Sequence, residues 1–94
     1  MNDRNLNILN NFNVLYLEDD KSLLTHTKDI LDDFVSNVYA VNKSEEAFKV
    51  LEIKKIDVII SDILLESENG IDFLRILKDE RNINIPIILT TAHT

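Results

Sequence analysis

The residues of this chain best able to do chemistry are acidic and sit at the ends of apolar runs. Val14-Leu15-Tyr16-Leu17 ends abruptly in Glu18-Asp19-Asp20, and Ile56 to Ser61 leads into Asp62. A third run, Ile87-Ile88-Leu89, ends in Thr90 and Thr91. Carboxylates gathered in one place repel one another and raise each other's pKa unless a cation sits among them. Hard oxygen donors without cysteine or histidine suit Mg²⁺, which takes few protein ligands and keeps water and phosphate in its remaining positions. Taken singly, each feature has an ordinary explanation. An acidic triplet before a helix caps it and suits its dipole, an Asp after a strand makes a turn, and Thr-Thr has β propensity. Three such features, each ending a different strand, are hard to collect by chance.

Their convergence depends on the elements that carry them. The four apolar runs read as strands: Val14–Leu17, Val38–Val41, Ile56–Ser61 and Ile87–Leu89. Between the first two, Leu23, Leu24, Ile30, Leu31 and Phe34 form one stripe of a helix over Lys21–Val35, with Asp19 or Asp20 as its cap. Ser44 is expected to cap a second helix that has Glu45 and Glu46 in its first turn and Lys54 and Lys55 near its end. Gly70 precedes a third helix from Ile71 to about Glu80, and Pro86 stands at the entrance of the fourth strand. Apolar strands alternating with helices in the order β-α-β-α-β-α-β predict an α/β fold with a parallel sheet between helical layers. The carboxyl ends of all strands then share one edge, where ligands bind in open α/β sheets. With strands one and three as neighbours, about 4.8 Å apart, their terminal carboxylates come within reach of a single ion.

Composition bounds the rest. A chain of 94 residues, 45% of them hydrophobic, makes one compact domain and excludes a disordered chain. Seventeen acidic against ten basic side chains give a net charge of −7, which opposes direct binding to nucleic-acid phosphates. The absence of cysteine excludes disulfides, thiolate metal sites and thiol nucleophiles. Residues 1–12 read as a polar segment lacking the basic start and apolar stretch of a signal peptide, and no apolar run approaches the ~20 residues of a membrane span. A cytoplasmic location is the expectation. His26, off the apolar stripe, is expected at the surface; His93 lies beside the proposed site, where a plain loop role is as fitting as a chemical one.

Together these motifs resemble the receiver domain of bacterial two-component response regulators. Glu18-Asp19-Asp20 after strand one resembles the family's acidic pocket, and Ile59-Ile60-Ser61-Asp62-Ile63 the segment carrying its phosphoacceptor aspartate. Gly70, eight residues after Asp62, and the Thr91-Ala92 step match the family pattern, and the resemblance runs from Asn13 to Thr94. It implies a flavodoxin-like, doubly wound parallel sheet in the order 2-1-3-4. The family's fourth helix, fifth strand and fifth helix are expected to be absent from these residues, leaving a receiver domain over 13–94 that is incomplete at its C-terminus. It also implies roles. Asp62 would accept a phosphoryl group from the phosphohistidine of a sensor histidine kinase. Asp19 and Asp62 would ligate Mg²⁺ with the backbone carbonyl of Leu64, Glu18 would act partly through water, and Thr91 would hydrogen-bond the new phosphoryl oxygens. The resemblance implies a signalling domain that assists its own phosphorylation and dephosphorylation, not a conventional enzyme.

The chain departs from the family at three points. Glu66 stands where the family usually has Pro; Leu64 cannot orient a hydrolytic water; and the family's phosphate-contacting Lys ends the fifth strand. Lys54 and Lys55 precede strand three and cannot replace it. Two other functions therefore remain open: a receiver-like interaction module that never handles phosphate, and a Mg²⁺-dependent phosphohydrolase, which the apolar Leu64 disfavours. Finally, right-handed crossovers leave one sheet face with a single helix over four strands. Strands three and four are apolar on both sides and strand four is an open edge, so the chain is expected to form a homo-oligomer.

Overall fold

A computed structural model describes residues 11–62 and 70–90 of the chain. Four parallel strands, β1 (Asn13–Leu17), β2 (Asn37–Val41), β3 (Val58–Asp62) and β4 (Ile87–Thr90), form one sheet in the order β2-β1-β3-β4. The helices α1 (Lys21–Leu31), α2 (Ser44–Ile53) and α3 (Gly70–Arg75) provide the crossovers. A wider turn of π type, Ile76–Glu80, continues α3. Asn82, at φ 52°, ends it in the left-handed region that Asn tolerates well, while Ile83 N–H returns to the Leu77 carbonyl. This is the expected doubly wound α/β architecture, and the register pairs Tyr16 with Ile60 and Leu17 with Ser61.

Alternation along the strands divides the sheet into two faces. Leu15 and Leu17 of β1, Val41 of β2 and Ile59 of β3 belong to the main core with Ala47 of α2 and Phe73 and Leu77 of the α3 segment. Phe48 and Phe73 meet at 5.3 Å between ring centroids, and Arg81 lies over the Phe48 ring at 4.4 Å while pairing with Glu52. The opposite face carries Val14, Tyr16, Val38, Ile60 and Ile88, and α1 packs there against β1 and β2. Ile88 on this face is 52% exposed, so β4 is the thinly covered side of the sheet.

Several local expectations are corrected. Helix α1 ends at Leu31 rather than Val35, because Asp33, Phe34 and Val35 N–H groups turn back onto the Ile30 and Leu31 carbonyls. Phe34 consequently falls beyond the helix and is exposed, and Ile30, within it, is exposed as well. Lys43, with extended backbone, holds the N-cap position of α2, and Ser44 is the first helical residue rather than the cap. Helix α2 closes at Ile53, so Lys54 is its C-cap and its last turn holds no basic residue. Strand β3 starts at Val58, two residues later than expected, and includes Asp62; Ile56 is buried ahead of it. The surface position of His26 agrees with expectation.

Candidate metal and phosphoacceptor site

The site forms where β1 and β3 end side by side. The β1 ladder runs one residue beyond Leu17, as Glu18 N–H donates to the Val41 carbonyl at 3.1 Å, so Glu18 is held as firmly as a strand residue. The backbone then turns. Asp20 is the N-cap of α1, its Oδ1 accepting the Leu23 N–H at 3.1 Å, which settles which acidic residue caps the helix. Glu18 Oε2 accepts the Asp20 N–H at 3.0 Å. One carboxylate of the triplet thus serves the helix end, and a second is oriented by it.

Glu18 and Asp62 are almost wholly buried, at 2% and 1% exposure, with Asp19 half-buried between solvent and site. Glu18, Asp19 and Asp62 each bring a carboxylate oxygen to within 4.8 Å of the others. Burial pushes the Glu18 carboxyl above the usual carboxylate range; the charges on Asp62 and Asp19 push the same way, and the Asp20 N–H opposes them. Tyr16, buried one pleat below Glu18, is also raised, first by burial and then by the acidic groups, against a lowering hydrogen bond from Thr27. The donor set is all oxygen, anionic and closely spaced, which fits a small hard dication such as Mg²⁺.

The structure therefore brings together Glu18, Asp19 and Asp62 of the expected site residues. Leu64, Thr91, Glu66 and His93 lie outside the described residues. Lys54 and Lys55 are at the opposite edge, as expected: Lys54 Nζ lies over the Tyr39 ring at 5.8 Å, and the Lys55 carbonyl accepts from the Asn13 side chain. The sequence reading passed over Thr27, the polar residue inside the inward row Leu23, Thr27, Leu31 of α1. A hydroxyl at a helix position whose period calls for an aliphatic side chain was the available signal.

Comparison with known proteins follows the same lines. The sequence profile described as "Response regulator receiver domain" matches residues 14–94. The heme response regulator HssR of Staphylococcus epidermidis is 31% identical over 80 residues, which cover 85% of this chain and 35% of that protein. The transcriptional regulatory protein CiaR of Streptococcus pneumoniae is 35% identical over 79 residues, 84% of this chain and 34% of CiaR. The chain thus spans about a third of the length of these curated relatives. Among solved structures, the MaeR response regulator bound to beryllium trifluoride superposes with a TM-score of 0.76 at 29% identity, covering 88% of this chain and 69% of MaeR. The chemotaxis response regulator CheY4 of Vibrio cholerae gives 0.75 at 25% identity, with 88% and 70% covered. With the acidic cluster at the β1–β3 edge and a matching profile over nearly its whole length, the chain belongs to the response regulator receiver domain family of two-component signalling.

Proposed function

We propose that this chain is a Mg²⁺-dependent phosphoacceptor that takes a phosphoryl group from a sensor histidine kinase onto Asp62. The observation that carries the reading is the set of three carboxylate oxygens within 4.8 Å at the carboxyl edge, two of them on buried residues. Asp19 and Asp62 would hold the ion directly, with the Leu64 carbonyl. Glu18, with one oxygen engaged by the Asp20 N–H, would offer the other directly or through water. The chemistry that a bound Mg²⁺ supplies is neutralisation of charge on the phosphoryl oxygens.

The transfer is a substitution at phosphorus. An Asp62 carboxylate oxygen attacks in line with the donor imidazole nitrogen; the new O–P bond forms as the N–P bond breaks, and its electron pair returns to the imidazole. The product is an acyl phosphate. Position dominates such chemistry, and Asp62 is held as the last residue of β3, in register with Thr90 of β4. Thr91, one residue further, then hydrogen-bonds the phosphoryl oxygens and turns the added charge into a backbone rearrangement. Leu64 offers no polar group to orient an attacking water, so the acyl phosphate is long-lived.

Incubation with Mg²⁺ and acetyl phosphate, followed by intact mass measurement, tests the reading. The expected result is one added phosphoryl group that is absent in Asp62→Asn. No gain in the unaltered chain would favour the alternative, an interaction module that works without phosphate; a gain retained in Asp62→Asn would sink the assignment. The half-exposed Ile88 and Leu89 on edge strand β4 support a second element of the proposal, that this chain self-associates.

A further inference from the structure

The turn between β1 and α1 serves two sets of groups at once, the open N–H groups of a helix end and the carboxylates of the site. Asp20 caps α1: its Oδ1 accepts the Leu23 N–H at 3.1 Å, and its carbonyl accepts the Leu24 N–H at 2.8 Å. In a capping box the third helical residue is Glu or Gln, whose side chain reaches back to the cap's own N–H. Here that residue is Leu23, and α1 has no acid in its first turn. The missing acceptor comes from the other direction, since Glu18 Oε2 takes the Asp20 N–H at 3.0 Å. Glu18 is itself fixed to β2 through its N–H on the Val41 carbonyl. Asp19 therefore lies inside a ring closed by the Glu18 side chain, with its neighbours on both sides held. Asp20, exposed and outside the group of converging carboxylate oxygens, is the residue that locks this ring to the helix.

We propose that Asp20 is the positioning residue of the metal site. By capping α1 it holds its own N–H on one Glu18 oxygen, which leaves the other for the cation and restrains the backbone that carries Asp19. Asp20 is not a ligand; it acts through Glu18 and Asp19. What it supplies is the geometry of the cap, not its charge. The inference rests on the reading of Glu18, Asp19 and Asp62 as a Mg²⁺ site, and a titration of the unaltered chain judges that reading separately.

Three substitutions separate the cap from the charge. Asp20→Ser keeps a capping oxygen and removes the charge, Asp20→Glu keeps the charge on a side chain too long to cap, and Asp20→Gly removes both while costing the helix little. Mg²⁺ affinity is measured by calorimetry at about 0.15 M salt, which screens exposed charges, and Leu23 amide exchange by NMR without metal. Asp20→Ser is expected to bind Mg²⁺ within about threefold of the unaltered chain, because an exposed charge counts for little at that salt. Asp20→Glu and Asp20→Gly should each bind about tenfold more weakly, the small end of what is lost when a group behind a metal ligand is removed. Their Leu23 amides should also exchange faster. The opposite order, with Asp20→Glu intact and Asp20→Ser weakened, would overturn the proposal and make Asp20 a charge near the site. Equal affinity in all four proteins would overturn it too and leave the cap a feature of helix stability. So would equal weakening in all three variants, since a restored cap would then restore nothing. An unaltered chain that binds no Mg²⁺ would overturn the metal reading, and this proposal with it.

Discussion

The two ends of the β-sheet are both polar, but they are polar in opposite ways. At the amino end, Asn13 N–H donates to Asp57 Oδ2 at 2.7 Å, Asn13 Nδ2 donates to the Lys55 carbonyl at 2.8 Å, and Asn37 Nδ2 donates to Asn13 Oδ1 at 2.9 Å. Asp57 N–H returns to the Asn13 carbonyl, closing the mesh. Amides donate and accept, so this edge satisfies itself and ties the starts of β1, β2 and β3 together. At the carboxyl end, Glu18, Asp19 and Asp62 are acceptors with like charge, gathered within 4.8 Å. As ionised carboxylates they repel one another. One edge is arranged for stability; the other accepts an electrostatic cost that a cation would offset.

Substitutions at the two ends should therefore fail differently. The largest effect belongs to Asp62→Asn, expected to abolish phosphoryl uptake from acetyl phosphate while the fold persists; intact mass and circular dichroism check both halves. Asp19→Asn should weaken Mg²⁺ binding by at least about tenfold, since a direct ligand matters no less than the groups behind it. Relief of carboxylate repulsion should meanwhile leave the metal-free protein equal or slightly higher in melting temperature. Calorimetric titration showing unchanged affinity would count against Asp19 as a ligand. Asp57→Ala, at the other end, should reverse that pattern. Loss of the acceptor for Asn13 N–H is expected to cost about 1–2 kcal/mol in urea unfolding, with Mg²⁺ affinity unaltered.

The pH dependence sharpens the contrast. The folded-state Glu18 carboxyl is raised above its unfolded value of 4.5 by burial and by its acidic neighbours. Between those two values the folded state binds more protons than the unfolded one, so Glu18 lowers stability as pH rises through that window. Denaturation of the metal-free protein from pH 4 to 7 should show a destabilising component that Glu18→Gln removes, and saturating Mg²⁺ should suppress it. A component unchanged in Glu18→Gln would assign it elsewhere. The smallest expected effect lies away from both ends. Ile88→Lys should place a charge on the exposed edge strand and shift the chain toward monomer in sedimentation at micromolar concentration. A wild-type chain already monomeric there, with a sharp unfolding transition, would refute self-association.

The order and parallel arrangement of the elements are legible in the residues alone. The alternation of short apolar runs with amphipathic stretches admits few other topologies once crossovers must be right-handed. The sequence also determined which acids stand at strand ends, because Leu17 and Ser61 mark where apolar runs stop. Tertiary structure decided what local pattern could not. Whether Asp19 or Asp20 caps α1 depends on which carboxylate the turn aims at the Leu23 N–H, and Asp20 holds that position while Asp19 stays with the cluster. Phe34 looks like core on a helical wheel, but the helix ends at Leu31 and leaves it exposed; Ile30, inside the helix, is exposed too. Thr27 visibly interrupts the apolar row from Leu23 to Leu31, yet what it meets is set by Tyr16, eleven residues away on another element. Amphipathic period reports how many faces an element buries. Only packing reveals which polar group each buried face meets, because that depends on residues distant in the chain.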